Sequence, residues 1–388
     1  MVDAATVIAG PGVAAHLGDF GADVVKVEHP AIPDSVRGMG WAAGGVTLWS
    51  KWIGRNKRPV TLNLSHPEGQ ALLLRLVGDA DVLVESFRPG TMEQWNLAPE
   101  RLLEANPRLV VVRCSGFGQT GPYRERPGFG TLAESMSGLA HMTGFPGGPP
   151  VLPPVALADE VAALTGAFAV MVALYWRDAG GGGAGQVIDL SLVESLFHLT
   201  GPVAAAFDTL GVVAGRIGNA IAYAAPRGAY PTGDGHWIGV SGSSDATARR
   251  VLAAIGHPEL ADDPRFDTNE ARVRHVAHLD RLIEEWTRAH TLQEALAEFE
   301  RFEAPAAPIH DIQGIVADPQ YRARRTLVRV PDDELGDVVL ADVQPRLSKT
   351  PGRIRHAGRP RGAATEAVFR DLGLSPQEVE GLRERGAI

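Results

Sequence analysis

Five segments rich in Val, Ile and Leu recur through the first half of the chain: DVVKVE (23–28), PVTLNL (59–64), DVLVES (81–86), RLVVVRCS (108–115) and QVIDLS (186–191). Helical runs separate several of them, such as PEGQALLLRLVGDA at 67–80, which opens with proline at the first helical position. Strands alternating with helices predict a mostly parallel sheet covered on both faces, because parallel neighbours need a long crossover between them. At 388 residues there is room for about two domains. The pattern changes near residue 216. RGAYPTGDGHWIGVSG (227–242) reads as two strands around the turn Thr232-Gly233-Asp234-Gly235, and helical segments follow at 245–256 and 278–302. The expected fold class is therefore α/β. A large Rossmann-like open-sheet domain occupies 1–215, a smaller α+β domain occupies 216–315, and a tail over 316–388 ends in a helix at 375–386.

Composition excludes several classes of function. With 45% hydrophobic and 21% charged residues the chain reads as a soluble globular protein. A formal net charge of −9 without a basic block argues against nucleic-acid and polybasic membrane partners. Cys114 is the only cysteine, so no intrachain disulfide forms; a cytoplasmic location and a buried strand-end thiol are expected. No basic segment precedes the first apolar residues, as a signal peptide would require. The apolar run 161–176 is shorter than the ~20 residues of a membrane span and reads as a buried helix.

Several motifs carry two readings. GFGQTG (116–121) matches a dinucleotide fingerprint and follows a strand, but Pro122 and Pro127 bracket the next residues, where a phosphate-binding helix should begin. His275 and His278 lack the companions of a metal site, and GxSxG is absent, so no metal or hydrolase elbow is expected. NKRP (56–59) and SFRPG (86–90) each place cations beside a strand, where they serve either an anionic ligand or a salt bridge. VALADEVAALTG (155–166) puts Asp159 and Glu160 at the head of an apolar helix. An acid there caps the helix or acts as an aimed nucleophile, and the stretch alone favours the cap.

Together, AGPGVAAHLGDFGADVVKVEHP, NKRPVTLNLSHPEGQALLLRLVGDADVLVESFRPG, NPRLVVVRCSGFGQTGPY, ALADEVAALTGAFAVMVALYWR and GQVIDLSLVESLF resemble the family III CoA-transferases. That family includes formyl-CoA transferases, carnitine CoA-transferases and α-methylacyl-CoA racemases. The likeness continues in order through YPTGDGHWIGVSGSSD, APAAPIHDIQGIVADPQ and the C-terminal segment.

The resemblance implies that Asp159 is the nucleophile, and it reverses the cap reading. It implies CoA contacts at Ile8, Ala9, His29, Leu62, Asn63, Leu64, Ser65, Ser86, Phe87, Arg88, Gln94, Gly128, Phe129 and Gly130. His29, Ser86 and Gln94 depart from the arginine, asparagine and arginine of characterised members, so Lys57, Arg58 and Arg88 are expected to hold the CoA phosphates instead. Phe129 occupies the position of the racemase histidine, and His141 lies twelve residues further on. Racemisation needs a second acid/base opposite the aspartate, so transfer is favoured over an acyl-CoA racemase. A non-catalytic CoA-binding paralogue is the other alternative, and an intact Asp159 speaks against it. The resemblance further implies a large domain built from both chain ends, an interlocked homodimer, acyl-CoA and a small carboxylic acid as substrates, and no permanently bound cofactor.

Overall fold

The computed structural model describes residues 1–388. Six parallel strands form the main sheet: β1 (Val2–Asp3), β2 (Val24–Glu28), β3 (Lys57–Thr61), β4 (Val82–Glu85), β5 (Val110–Ser115) and β6 (Val187–Ser191), in the spatial order β3-β2-β1-β4-β5-β6. Five of these were legible as apolar runs. The central one, β1, is only two residues long and was missed. Because chain order reverses between β1 and β4, the crevice beyond their C-terminal ends is where an open α/β sheet accommodates ligands.

Strand residues alternate between two cores, as the two-residue pleat requires. Leu83, Leu109 and Val111 face one side with Leu72, Leu73, Phe369, Val379 and Leu382. Val82, Val84, Val110, Val112 and Cys114 face the other with Val13, Ala158, Ala162 and Val170. The C-terminal helices Thr365–Asp371 and Pro376–Glu384 thus supply Phe369, Val379 and Leu382 to the first core.

Two helices, Ala9–Asp19 and Leu157–Asp178, cover the second face at close range. A Cβ on Gly12 would lie 2.6 Å from Ala163 Cβ, and one on Gly166 would lie 2.6 Å from Val13 Cγ2. Small residues therefore set the approach of the long helix. That helix has 22 residues, long and apolar enough by itself to span a bilayer, so the length argument drawn from residues 161–176 fails. Nor is it wholly buried. One face packs through Ala158, Ala162, Gly166, Val170 and Ala173, whereas Leu164, Phe168, Met171, Val172 and Tyr175 are exposed.

The chain divides into two compact units, one comprising Met1–Leu139, Leu152–Ala205 and Arg322–Ile388, the other Ala140–Val151 and Ala206–Tyr321. Residues 140–151, read from sequence with the N-terminal part, group with the second unit. That unit contains the antiparallel strands Arg227–Pro231, Trp237–Ser241 and Ala306–Pro308, with Ile238 and Val240 packed against Val251, Ile283 and Phe299. The helical run expected over 278–302 is two helices, Val276–Arg288 and Leu292–Arg301, divided where Thr291 and Glu294 form a capping box.

Candidate active site

Asp159 lies in the first turn of Leu157–Asp178, whose N-cap is Ala156 with no side-chain cap. It is not the capping residue. Its carboxylate forms no ion pair within 4 Å, although the helix N-terminus itself favours an anion. Burial, then the charges of Glu134 and Glu160, push Asp159 up to about 6. Such a group is mostly ionised at neutral pH and more basic than an ordinary carboxylate. A Cβ at Gly130 would sit 2.2 Å from Asp159 Oδ2, so only glycine leaves the carboxylate its place. A second glycine pair, Gly116 and Gly128, allows two backbone segments to touch, because a Cβ on Gly116 would fall 2.5 Å from Gly128 Cα. The GFGQTG loop is thus a close backbone crossing. No helix begins until Gly130, and the loop follows β5 rather than the first strand.

Glu160 turns away from this site. Burial raises it, but His16, with Nε2 3.7 Å from Glu160 Oε2, draws it below the usual carboxylate range. Cys114, the last residue but one of β5, lines the cleft and is 2% exposed. Burial, with Asp159 beside it, holds the thiol protonated well above its ordinary value, which leaves it a poor nucleophile.

A cavity of about 280 Å³ surrounds Asp159 at the C-terminal edge of the sheet. Ile8 and Ala9 enter it after β1, Ser86, Phe87 and Arg88 after β4, and Gly128 and Phe129 from the loop before Gly130. Thr6 N–H donates to Ser86 Oγ at 2.8 Å, tying the two loops across the sheet's reversal point. Val7, at φ 68°, adopts a backbone conformation rare for a β-branched residue, and its N–H donates to Asp34 Oδ1 at 3.1 Å. A neighbouring cavity of about 440 Å³ contains His29, Leu62, Asn63, Leu64 and Ser65, and shares Thr6, Ser35 and Phe87 with the first. His29 Nδ1 is already engaged by the N–H groups of Ala31 and Ile32. Gln94 lines a third hollow of about 570 Å³ with Arg88, Arg113 and Arg124.

Two of the three expected phosphate cations belong elsewhere. Lys57 is 1% exposed, with Nζ 2.8 Å from Asp3 Oδ2 and 2.7 Å from the Pro11 carbonyl oxygen. Burial lowers its ammonium to about 8, against the pull of Asp3. Arg58 pairs with Asp23 at 2.5 Å and with Asp371 at 3.4 Å. The reason is strand direction: β3 starts at Lys57, so both residues mark the edge opposite the cleft, which Leu62 to Ser65 approach. NKRP is a structural motif here. Arg88 alone of the three lines the cleft, where Arg124 and Arg126 join it. Sequence reasoning passed over these two because they lie in the proline-bracketed loop. It also missed Glu134, a buried acid within GFGTLAESMSG.

No group of three or more His, Cys, Asp or Glu side chains is arranged to hold a metal. The family model of CoA-transferase family III matches residues 1–365. The chain is 39% identical to the succinyl-CoA–D-citramalate CoA-transferase of Chloroflexus aurantiacus, over 98% of this chain and 95% of that one. It is 40% identical to the β subunit of the same organism's succinyl-CoA–L-malate CoA-transferase, over 100% and 96% of the two chains. A CAIB/BAIF family protein from Brucella suis shares the fold with a TM-score of 0.83 at 32% identity, covering 96% of this chain and 97% of that one. The chain belongs to CoA-transferase family III. It is an enzyme, a CoA-transferase that uses CoA thioesters as substrates.

Proposed function

We propose that this CoA-transferase moves CoA from an acyl-CoA to a free carboxylic acid through an aspartyl-CoA thioester on Asp159. The supporting observation is a basic carboxylate with no ion-pair partner, in the first turn of a helix without a side-chain cap and set in a cleft at the sheet's reversal point. Asp159 attacks the donor thioester carbonyl; the C–S bond breaks, giving an acyl-aspartyl anhydride and CoA thiolate. The thiolate attacks the aspartyl carbonyl, and the donor leaves as its carboxylate. The acceptor carboxylate attacks the aspartyl thioester, giving a second anhydride and thiolate. Thiolate attack on the acceptor carbonyl completes exchange and returns Asp159 as a carboxylate. Covalent catalysis divides one difficult exchange into easier steps.

Arg88, Arg124 and Arg126 suit the anionic groups of CoA and of a dicarboxylic substrate. Because relatives at 39% and 40% identity are named for succinyl-CoA, it is the first donor to test. Phe129, 62% exposed at the cleft, offers no second acid/base, which weighs against racemisation. The single, buried cysteine suits a cytoplasmic enzyme. The exposed apolar stripe of the long helix suits a homodimer.

Incubation with succinyl-CoA followed by hydroxylamine should convert Asp159 to a hydroxamate detectable by mass spectrometry. Asp159→Asn should abolish exchange, and Glu160→Gln should keep most of it. Full exchange in Asp159→Asn would end this reading.

A further inference from the structure

Glu134 sits on the short helix Gly130–Met136 and is 4% exposed. Its Oε1 accepts a long contact, 3.5 Å, from the N–H of Ala158, in the first turn of the Asp159 helix. No cation lies within 4 Å of its carboxylate, although buried acids elsewhere, such as Asp19 and Glu85, pair with arginine. A buried carboxylate without a counter-cation is costly. An uncharged residue could satisfy one N–H equally well.

We infer that Glu134 is a positioning residue for the nucleophile: it meets the first turn of the Asp159 helix and sets a second carboxyl group beside the reacting one. Both neighbours of Asp159 in the chain are thereby assigned. The Ala158 N–H meets Glu134 and Glu160 lies 3.7 Å from His16 Nε2, so of the three only the Asp159 carboxylate lines the cleft. The charge matters as much as the contact. Like charges disfavour ionisation, and a more basic carboxylate is a better nucleophile toward a thioester. The charge of Glu134 raises Asp159 more than that of Glu160 does, and Glu160 lies toward His16. The other titratable or charged groups facing this position are the Cys114 thiol from β5 and the arginines 88, 124 and 126 along the cleft.

The inference rests on Asp159 being the nucleophile, and the test separates the two. Glu134→Gln keeps an oxygen that can accept from Ala158 but removes the charge. The pH dependence of kcat/KM for succinyl-CoA exchange should show a wild-type acid limb near 6, the value of Asp159. In Glu134→Gln that limb should move down by roughly one pH unit, with exchange at pH 7.5 reduced about three- to tenfold. Glu134→Asp retains the charge on a shorter arm; its limb should stay near the wild-type position while kcat falls. An acid limb unmoved in Glu134→Gln, with Asp159 still trapped as hydroxamate, overturns the inference and leaves the nucleophile standing. Should the Gln variant not fold, an undiminished kcat together with an unmoved acid limb in Glu134→Asp overturns it equally. Failure to trap Asp159 in wild type overturns the reading beneath both.

Discussion

Asp159 combines two properties that pull against each other. Its pKa, about 6, lies above the ordinary 3.8, so ionising it costs the folded state. The stability associated with the neutral form is fully present below pH ~4 and is lost as pH rises through about 6. Asp159→Asn removes that loss. The inactive variant should therefore melt higher than wild type at pH 7.5, with the advantage vanishing toward pH 4. Discounted for solvent around a half-buried group, the effect is worth roughly 1–2 kcal/mol, about 2–6 °C. Scanning calorimetry at both pH values checks it, and an equal or lower melting point at pH 7.5 contradicts the electrostatic account. Lys57 provides the contrasting case. Lys57→Met leaves Asp3 with only Lys26, at 3.6 Å, and should cost about 3 kcal/mol without changing CoA affinity in the folded fraction. Single alanine substitutions of Arg88, Arg124 and Arg126 should do the reverse. Each should raise the KM for acyl-CoA roughly three- to tenfold with little change in stability, since these side chains are exposed.

At the scale of elements, the nucleophile's location follows from how closely helices and loops can approach. Gly130→Ala would place a methyl group 2.2 Å from Asp159 Oδ2 while suiting a helix better than glycine does. The carboxylate must move, and misplacement of about 1 Å can cost roughly a hundredfold in rate. The expected outcome is a well-folded enzyme with kcat reduced on that order; undiminished kcat would show that the carboxylate has room to spare. Gly166→Val tests the other end of the same packing. Its side chain would meet Val13 and Leu190 at 2.6 and 2.7 Å, and overpacking should cost about 1–3 kcal/mol in chemical denaturation. Activity should fall as well, because the helix that carries Asp159 is pushed off the sheet.

At the scale of the whole molecule, the long helix presents Leu164, Phe168, Met171, Val172 and Tyr175 at intervals of three and four residues, all on one exposed face. An exposed apolar stripe of this kind favours association, and a homodimer is the expected outcome. Light scattering should give twice the chain mass, and an interlocked pair should persist on dilution to nanomolar concentration. The double variant Phe168→Glu, Met171→Glu should fail to assemble. A wild-type monomer would refute both the dimer and its interlocking.

Much of this was legible before any tertiary contact was known, because it depends on local pattern. Val-rich runs at 23–28, 81–86 and 108–115 specify buried parallel strands, since strands covered on both faces are largely apolar. The family resemblance also singled out Asp159, together with the cleft residues Ile8, Ala9, Ser86, Phe87, Arg88, Gly128 and Phe129, which the fold brings into one cavity. Other features depend on direction and partnership, which a linear reading does not contain. Lys57 and Arg58 stand beside a strand in the sequence, but only its direction in the sheet shows that they mark the edge away from the cleft. Val2–Asp3 is too short to show a period and becomes a strand because β2 and β4 flank it. The long helix read as buried because hydropathy does not say how much surface its neighbours can cover. Glu134 gained its place beside Asp159 only when two helices separated by more than twenty residues packed together, since charge proximity arises from tertiary distance rather than sequence spacing.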